Sequence, residues 1–219
     1  LGFEQVIRPA EVNWMTAGRG ISHSERFEGM RERGGVLHGI QAWVALPAGH
    51  EEVEPAFEHY ARDRLPLIEG DGWSARVIAG ELLGARSAVR THSPLLYAHL
   101  ELAAGARFAV PGDASERAVF VARGAVDAGG QACAPAQMLV LGRDATPSIV
   151  AREASTVMLL GGEPVGARYI WWNFVSSSLE RLEQAKADWN GGRIQRPIGD
   201  TDEWIPAPDD PMPAPHRPG

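Results

Sequence analysis

From residue 73 onward, apolar and polar side chains alternate with a period of two, in short runs. The pattern predicts strands over 73–79, 88–90, 95–102, 107–110, 117–122, 125–128, 137–141, 148–151 and 157–160, with Gly or Pro in nearly every gap. Upstream, 4–7, 12–15 and 21–26 read as short strands, and 37–46 as a strong one ended by Pro47. Residues 27–35 are polar and read as a loop, as do 48–58, with a helical turn near 57–60. Many short strands at such spacing predict an all-β sandwich or barrel. The helical period enters once. Ser177-Ser178-Leu179-Glu180 reads as a capping box with Ser177 as the cap, and Leu179, Leu182, Ala185 and Trp189 share one face until Gly191-Gly192. Residues 193–219 are rich in Pro and Asp and read as an extended tail, anchored by Trp204 and Ile205 and disordered at its end.

This pattern divides the chain into 1–47, the remainder of a first domain; 48–72, a linker; 73–192, a second domain with its terminal helix; and the tail, 193–219. Roughly 45 residues before the linker are too few to close a sandwich alone. The first domain is therefore expected to be incomplete, with open strand edges that predict pairing with a second chain.

Composition narrows the function. The 219 residues are 44% hydrophobic and 22% charged, which suits a globular protein with a real core. A formal net charge of −7 argues against a nucleic-acid-binding surface. Cys133 has no second cysteine to pair with, which fits a reducing compartment. With no charged leader and no long apolar run, the expectation is a cytoplasmic protein without membrane contact.

The candidate chemistry lies in Gly18-Arg19-Gly20-Ile21-Ser22-His23-Ser24-Glu25. On a strand, positions i and i+2 share a face, so His23 and Glu25 would stand side by side. Imidazole nitrogen and carboxylate oxygen together suit a divalent first-row metal, although such sites take three or four protein ligands. Gly18 and Gly20 permit a tight turn or a close backbone approach just before the pair.

The stretch Val12-Asn13-Trp14-Met15-Thr16-Ala17-Gly18-Arg19-Gly20-Ile21-Ser22-His23-Ser24-Glu25 resembles the motif of the N-terminal cupin domain in the pirin family. The resemblance continues in Leu37-His38-Gly39-Ile40-Gln41-Ala42-Trp43-Val44-Ala45-Leu46-Pro47, in Gly161-Gly162-Glu163-Pro164 and in Ile170-Trp171-Trp172-Asn173-Phe174-Val175, and it covers the chain to just past Trp189. It implies a cupin jelly-roll β-sandwich in bicupin form, the first cupin incomplete, with one C-terminal helix. It also implies His23 and Glu25 as two of four ligands to one divalent metal, Fe(II) foremost, with other first-row metals as alternatives. The other two family ligands are histidines in an upstream His-x-His, a motif absent from residues 1–219, so a metal-free scaffold is one reading of this chain. Some pirins are described as quercetin 2,3-dioxygenases. By that resemblance the substrate is a flavonol, a small aromatic molecule chelating the metal, and Glu25 is the catalytic base as well as a ligand. Met15 and Thr16 would shape the pocket. Other pirins are described as metal-dependent transcriptional co-regulators, which makes a non-enzymatic iron-dependent binding protein the rival.

Other candidates read as structural. His38 heads an apolar stretch and is expected to be a hydrogen-bonded core histidine. Cys133 reads as a small apolar residue, Trp171, Trp172 and Phe174 as packing, and Ser176-Ser177-Ser178 as capping. The second domain is poor in convergent ligands: His92 and His99 are an odd number of positions apart and fall on different strand faces. It reads as scaffold.

Overall fold

The computed structural model of the chain describes residues 1–143, 145 and 147–217, apart from the side chains of Glu28 and Arg31. Compactness separates two units. One comprises Val6–Trp14 and Glu58–Pro164, the other Leu1–Gln5, Met15–Phe57 and Val165–Gly219. The sequence-based partition at 47, 72 and 192 follows linker composition, whereas compactness groups segments that are distant in sequence.

In chain order the strands and helices begin with β1 (Val12–Thr16), α1 (Glu28–Arg33), β2 (Ala56–Tyr60), β3 (Leu67–Gly70), β4 (Trp73–Leu82), β5 (Ala85–Arg86) and β6 (Leu95–Leu102). Then come β7 (Arg107–Ala109), β8 (Glu116–Arg123), β9 (Val126–Ala128), β10 (Gln131–Cys133), β11 (Met138–Leu141), β12 (Ser148–Ala151) and β13 (Ser155–Gly162). β14 (Tyr169–Trp171), β15 (Phe174–Ser176) and α2 (Leu179–Asn190) complete the order.

The first unit is the sandwich. Its larger sheet runs β11-β8-β13-β6-β4-β3, with β5 beside β4, and its smaller sheet runs β10-β9-β12-β7. Alternation decides which side chains lie between them. On β6, Leu96, Ala98, Leu100 and Leu102 are buried, while Tyr97, His99 and Glu101 face outward. Val119 and Val121 of β8 and Val157 and Leu159 of β13 join the same core as Phe108, Val126, Ala128, Ile149 and Ala151 of the smaller sheet. Phe108 meets Trp73 edge to face at 4.9 Å between ring centroids. Each fully buried Val, Leu or Phe side chain stabilises the sandwich by about 1.5–3 kcal/mol.

The second unit contains the β14–β15 hairpin, α2 and the tail. Trp171 pairs with Phe174 across a two-residue turn, and Trp172 sits there at φ +49°, in the left-handed region. Packing accounts for a tryptophan at that position: its ring lies 5.5 Å from Phe174 and 5.3 Å from Trp189. α2 buries Leu182 and Ala185, and Gly191 caps its end.

Several expectations change. Residues 37–46 are not a strand but an irregular segment with Val36 92%, Leu37 62% and Trp43 54% exposed. A strand needs a hydrogen-bonded neighbour, and among the described residues none lies alongside. Residues 4–7, 21–26 and 88–90 are irregular for the same reason. His38, on this segment, is exposed rather than a core histidine. The loop expected at 27–35 holds α1, and β2 and β3 occupy part of the expected linker. The cap of α2 is Ser178, whose hydroxyl accepts from the Arg181 amide at 3.3 Å; Ser177 binds Glu51 instead. Cys133 is buried on β10. Trp204 does anchor the tail, stacked on Trp189 at 6.3 Å. Ile205 contributes through its carbonyl, which accepts from Trp189 Nε1 at 2.8 Å, while its side chain is exposed. Of the chain end expected to be disordered, residues 218 and 219 lie outside the described residues. No helix among those residues is long and apolar enough to cross a membrane.

Candidate metal centre

The sequence leading to His23 and Glu25 is shaped by two glycines. Gly18 has φ +53°, and a Cβ there would stand 2.0 Å from the Val53 carbonyl oxygen. Absence of a side chain lets the Arg19 amide donate to that oxygen at 3.1 Å. Gly20 has φ +134°, and its amide donates to Ala17 O at 3.0 Å, closing a turn. Arg19 also pairs with Glu54. The chain leaves this turn as the irregular segment 21–27.

That segment lies against the tail. Ser22 Oγ donates to the Gln195 carbonyl. Arg26 forks onto Asp200, with Nε donating to Oδ2 at 2.6 Å and the terminal nitrogen to Oδ1, and it reaches Glu203 Oε2 at 2.6 Å. Hydrogen bonds from Arg26 and then from Ser24 hold the Asp200 carboxyl below the usual carboxylate range. Ser22, Ser24 and Arg26, each two positions apart, are thus the side chains that engage the tail. The intervening His23 and Glu25 are exposed, and among the described residues no hydrogen bond or ion pair occupies either one.

The expected strand is therefore absent, but alternation along the segment survives, supplied by the tail. In donor type and availability the two side chains fit a first-row metal: one imidazole and one carboxylate with unclaimed lone pairs. They supply two donors of the three or four such a site takes. Among the described residues no three His, Cys, Asp or Glu side chains converge to hold an ion. A cleft of about 210 Å³ borders the segment, lined by Arg19, Ile21, Ser22, Glu54, Gln195 and Arg196 among others. Pockets that enclose a drug-sized ligand start near roughly 300 Å³, so this cleft alone does not enclose a flavonol. Met15 and Thr16 lie at the end of β1.

The sandwich unit has its own polar group. His99 Nε2 lies 3.0 Å from Glu101 Oε1, and Thr156 Oγ1 donates to the same carboxylate at 3.0 and 3.1 Å. His92 lies outside the strand that carries His99. Sequence reasoning missed Arg26, Asp200 and Glu203. The alternation of Ser22, Ser24 and Arg26 around the ligand pair was the one available signal.

Residues 97–195 match the pirin C-terminal cupin domain, and residues 1–44 match pirin. A pirin-like protein of Caulobacter vibrioides is 54% identical over 210 residues, covering 95% of this chain and 73% of that protein. A crystal structure of quercetin 2,3-dioxygenase from Acinetobacter baumannii superposes with a TM-score of 0.79 at 29% identity, covering 94% of this chain and 69% of that one. A second such structure gives 0.74 at 28% identity, covering 86% and 68%. The two-sheet sandwich is accordingly a cupin fold, and with both matches in the expected order this chain belongs to the pirin family.

Proposed function

We propose that this chain is part of a metal-dependent dioxygenase acting on a flavonol such as quercetin, with His23 and Glu25 as two of its metal ligands. The observation that carries the reading is the likeness, over 94% of the chain, to a quercetin 2,3-dioxygenase. The unengaged imidazole and carboxylate in the family motif support it.

A bound first-row divalent ion, Fe(II) foremost, would supply a Lewis-acidic centre that acidifies the hydroxyl of a chelating substrate. The chain's own residues do the rest. His23 offers a ring nitrogen to the ion and Glu25 a carboxylate oxygen. The remaining donors come from outside residues 1–219, since the sequence holds no His-x-His. A second role follows for Glu25. Its exposed carboxylate can take the flavonol hydroxyl proton on an Oε atom and pass it to solvent. The flavonol anion left behind is electron-rich and open to attack by O₂, both atoms of which enter the product.

The test is anaerobic Fe(II) loading of the full-length protein, followed by admission of O₂ with quercetin present. Loss of the flavonol absorbance with one O₂ consumed per flavonol is the expected result, abolished in His23→Ala and Glu25→Gln. Stoichiometric iron binding without flavonol loss would replace this reading with that of a metal-dependent binding protein.

A further inference from the structure

We propose that the C-terminal tail from Gln195 to Glu203 is a positioning strap for the metal ligands, with Arg26 as its anchoring residue; this rests on the reading of His23 and Glu25 as ligands. Segment 21–27 has no strand pairing to hold its backbone. An unpaired segment of this length would sample many conformations, and two donors two positions apart would then rarely face the same way. The tail removes that freedom by taking the side chains between and beside the donors. Ser22 donates to Gln195 O, Ser24 and Arg26 hydrogen-bond Asp200, and Arg26 also reaches Glu203. Capture of positions 22, 24 and 26 on one side leaves 23 and 25 on the other, as a neighbouring strand would.

The strap is itself held at both ends. Before it, Arg193 Nε pairs with Asp188 of α2 at 2.5 Å, and the Arg193 amide donates to Asp188 O at 2.8 Å. After it, Trp204 stacks on Trp189, and Trp189 Nε1 donates to Ile205 O. Farther on, Trp171 Nε1 donates to Asp210 O at 3.3 Å, and His216 pairs with Arg168 through two backbone hydrogen bonds. The fork on Asp200 gives the anchor a fixed direction, because two parallel hydrogen bonds orient the guanidinium plane where a single point contact would not. Arg26 acts through the backbone on Glu25 and His23 and is a positioning residue, not a ligand.

The experiment measures Ni(II) affinity of the full-length protein by calorimetry and amide hydrogen exchange across 21–27. It compares the wild type with Arg26→Ala, Glu203→Gln, His23→Ala and the exchanged pair Arg26→Asp with Asp200→Arg. Loss of groups that orient ligands weakens metal binding by about 10–100-fold. Arg26→Ala is expected to do so and to speed exchange across 21–27, Glu203→Gln to do both to a smaller degree, and the exchanged pair to recover most of the loss. Should Arg26→Ala prove unfolded by circular dichroism, Glu203→Gln and the exchanged pair carry the test. Unchanged Ni(II) affinity in Arg26→Ala beside a large loss in His23→Ala overturns the strap and leaves the ligand reading standing. Faster exchange with unchanged affinity also overturns it. A wild type that binds no Ni(II) overturns the ligand reading, and the strap with it.

Discussion

Arg168 Nε lies 2.8 Å from Glu51 Oε1, with the two side chains only 6% and 13% exposed. The contact is an ion pair whose angle falls short of a hydrogen bond. The rest of each group is satisfied separately. Arg168 donates to the Leu46 and Ala167 carbonyls at 2.8 Å each, while Glu51 accepts from Ser176 Oγ at 3.1 Å and from the amide and hydroxyl of Ser177 at 2.9 Å. One carboxylate thus joins the turn after Pro47 to the entry of α2.

Glu51→Ala should be the costliest single charge removal in this unit. It leaves the Arg168 guanidinium without its counter-charge, and breaking a buried pair costs about 3–5 kcal/mol. Glu51→Gln keeps acceptor oxygen for the serines and should cost less. Urea unfolding of both variants gives the comparison, and equal midpoints with the wild type would refute the role.

Gly18→Ala should be strained by about 1–3 kcal/mol, from its positive φ and a backbone oxygen that cannot move aside easily. The readout is amide exchange at Arg19, whose hydrogen bond to Val53 O should open more often. Gly20→Ala meets no atom within 4 Å and should show only the cost of its φ.

Phe108→Ala removes a ring that is 1% exposed at the centre of the sandwich. Such truncations cost about 3–5 kcal/mol. Trp73 loses its edge-to-face neighbour, so its fluorescence should change together with the unfolding midpoint.

Glu163 predicts an acid-side dependence. Ser115 donates to its carboxylate through both hydroxyl and amide and lowers its pKa below the ordinary value of 4.5. A carboxyl whose folded pKa is depressed adds stability above its unfolded value and loses it as pH falls through the folded one. The stability difference between wild type and Glu163→Gln should therefore shrink between about pH 5 and pH 3. A difference constant across that window would refute the assignment.

His23→Ala should lower Ni(II) or Fe(II) affinity of the full-length protein by at least about tenfold, since a direct ligand matters no less than the groups that orient it. Metal content by elemental analysis checks it. His99→Ala, on the sandwich, should leave metal content unchanged.

Much of the fold is legible in the residue pattern, since alternation is a local property. Leu95–Leu102 and Ser148–Ala151 are strands over the very residues whose period of two predicts them. The cupin resemblance, the ligand candidates His23 and Glu25, and the need for glycine at position 18 were likewise open to reading. Residues 37–46 carry equally good strand character and form none, because a strand exists only where a neighbour completes its hydrogen bonds. Ser177 and Ser178 were interchangeable as caps until Glu51 claimed one of them. The fork from Arg26 to Asp200 spans 174 positions, and no local pattern couples residues so far apart. Side-chain type and spacing are written along the chain and nominate the donors. Which charges stand near enough to pair, and so what holds those donors in place, is decided only when the folded chain brings its tail back to them.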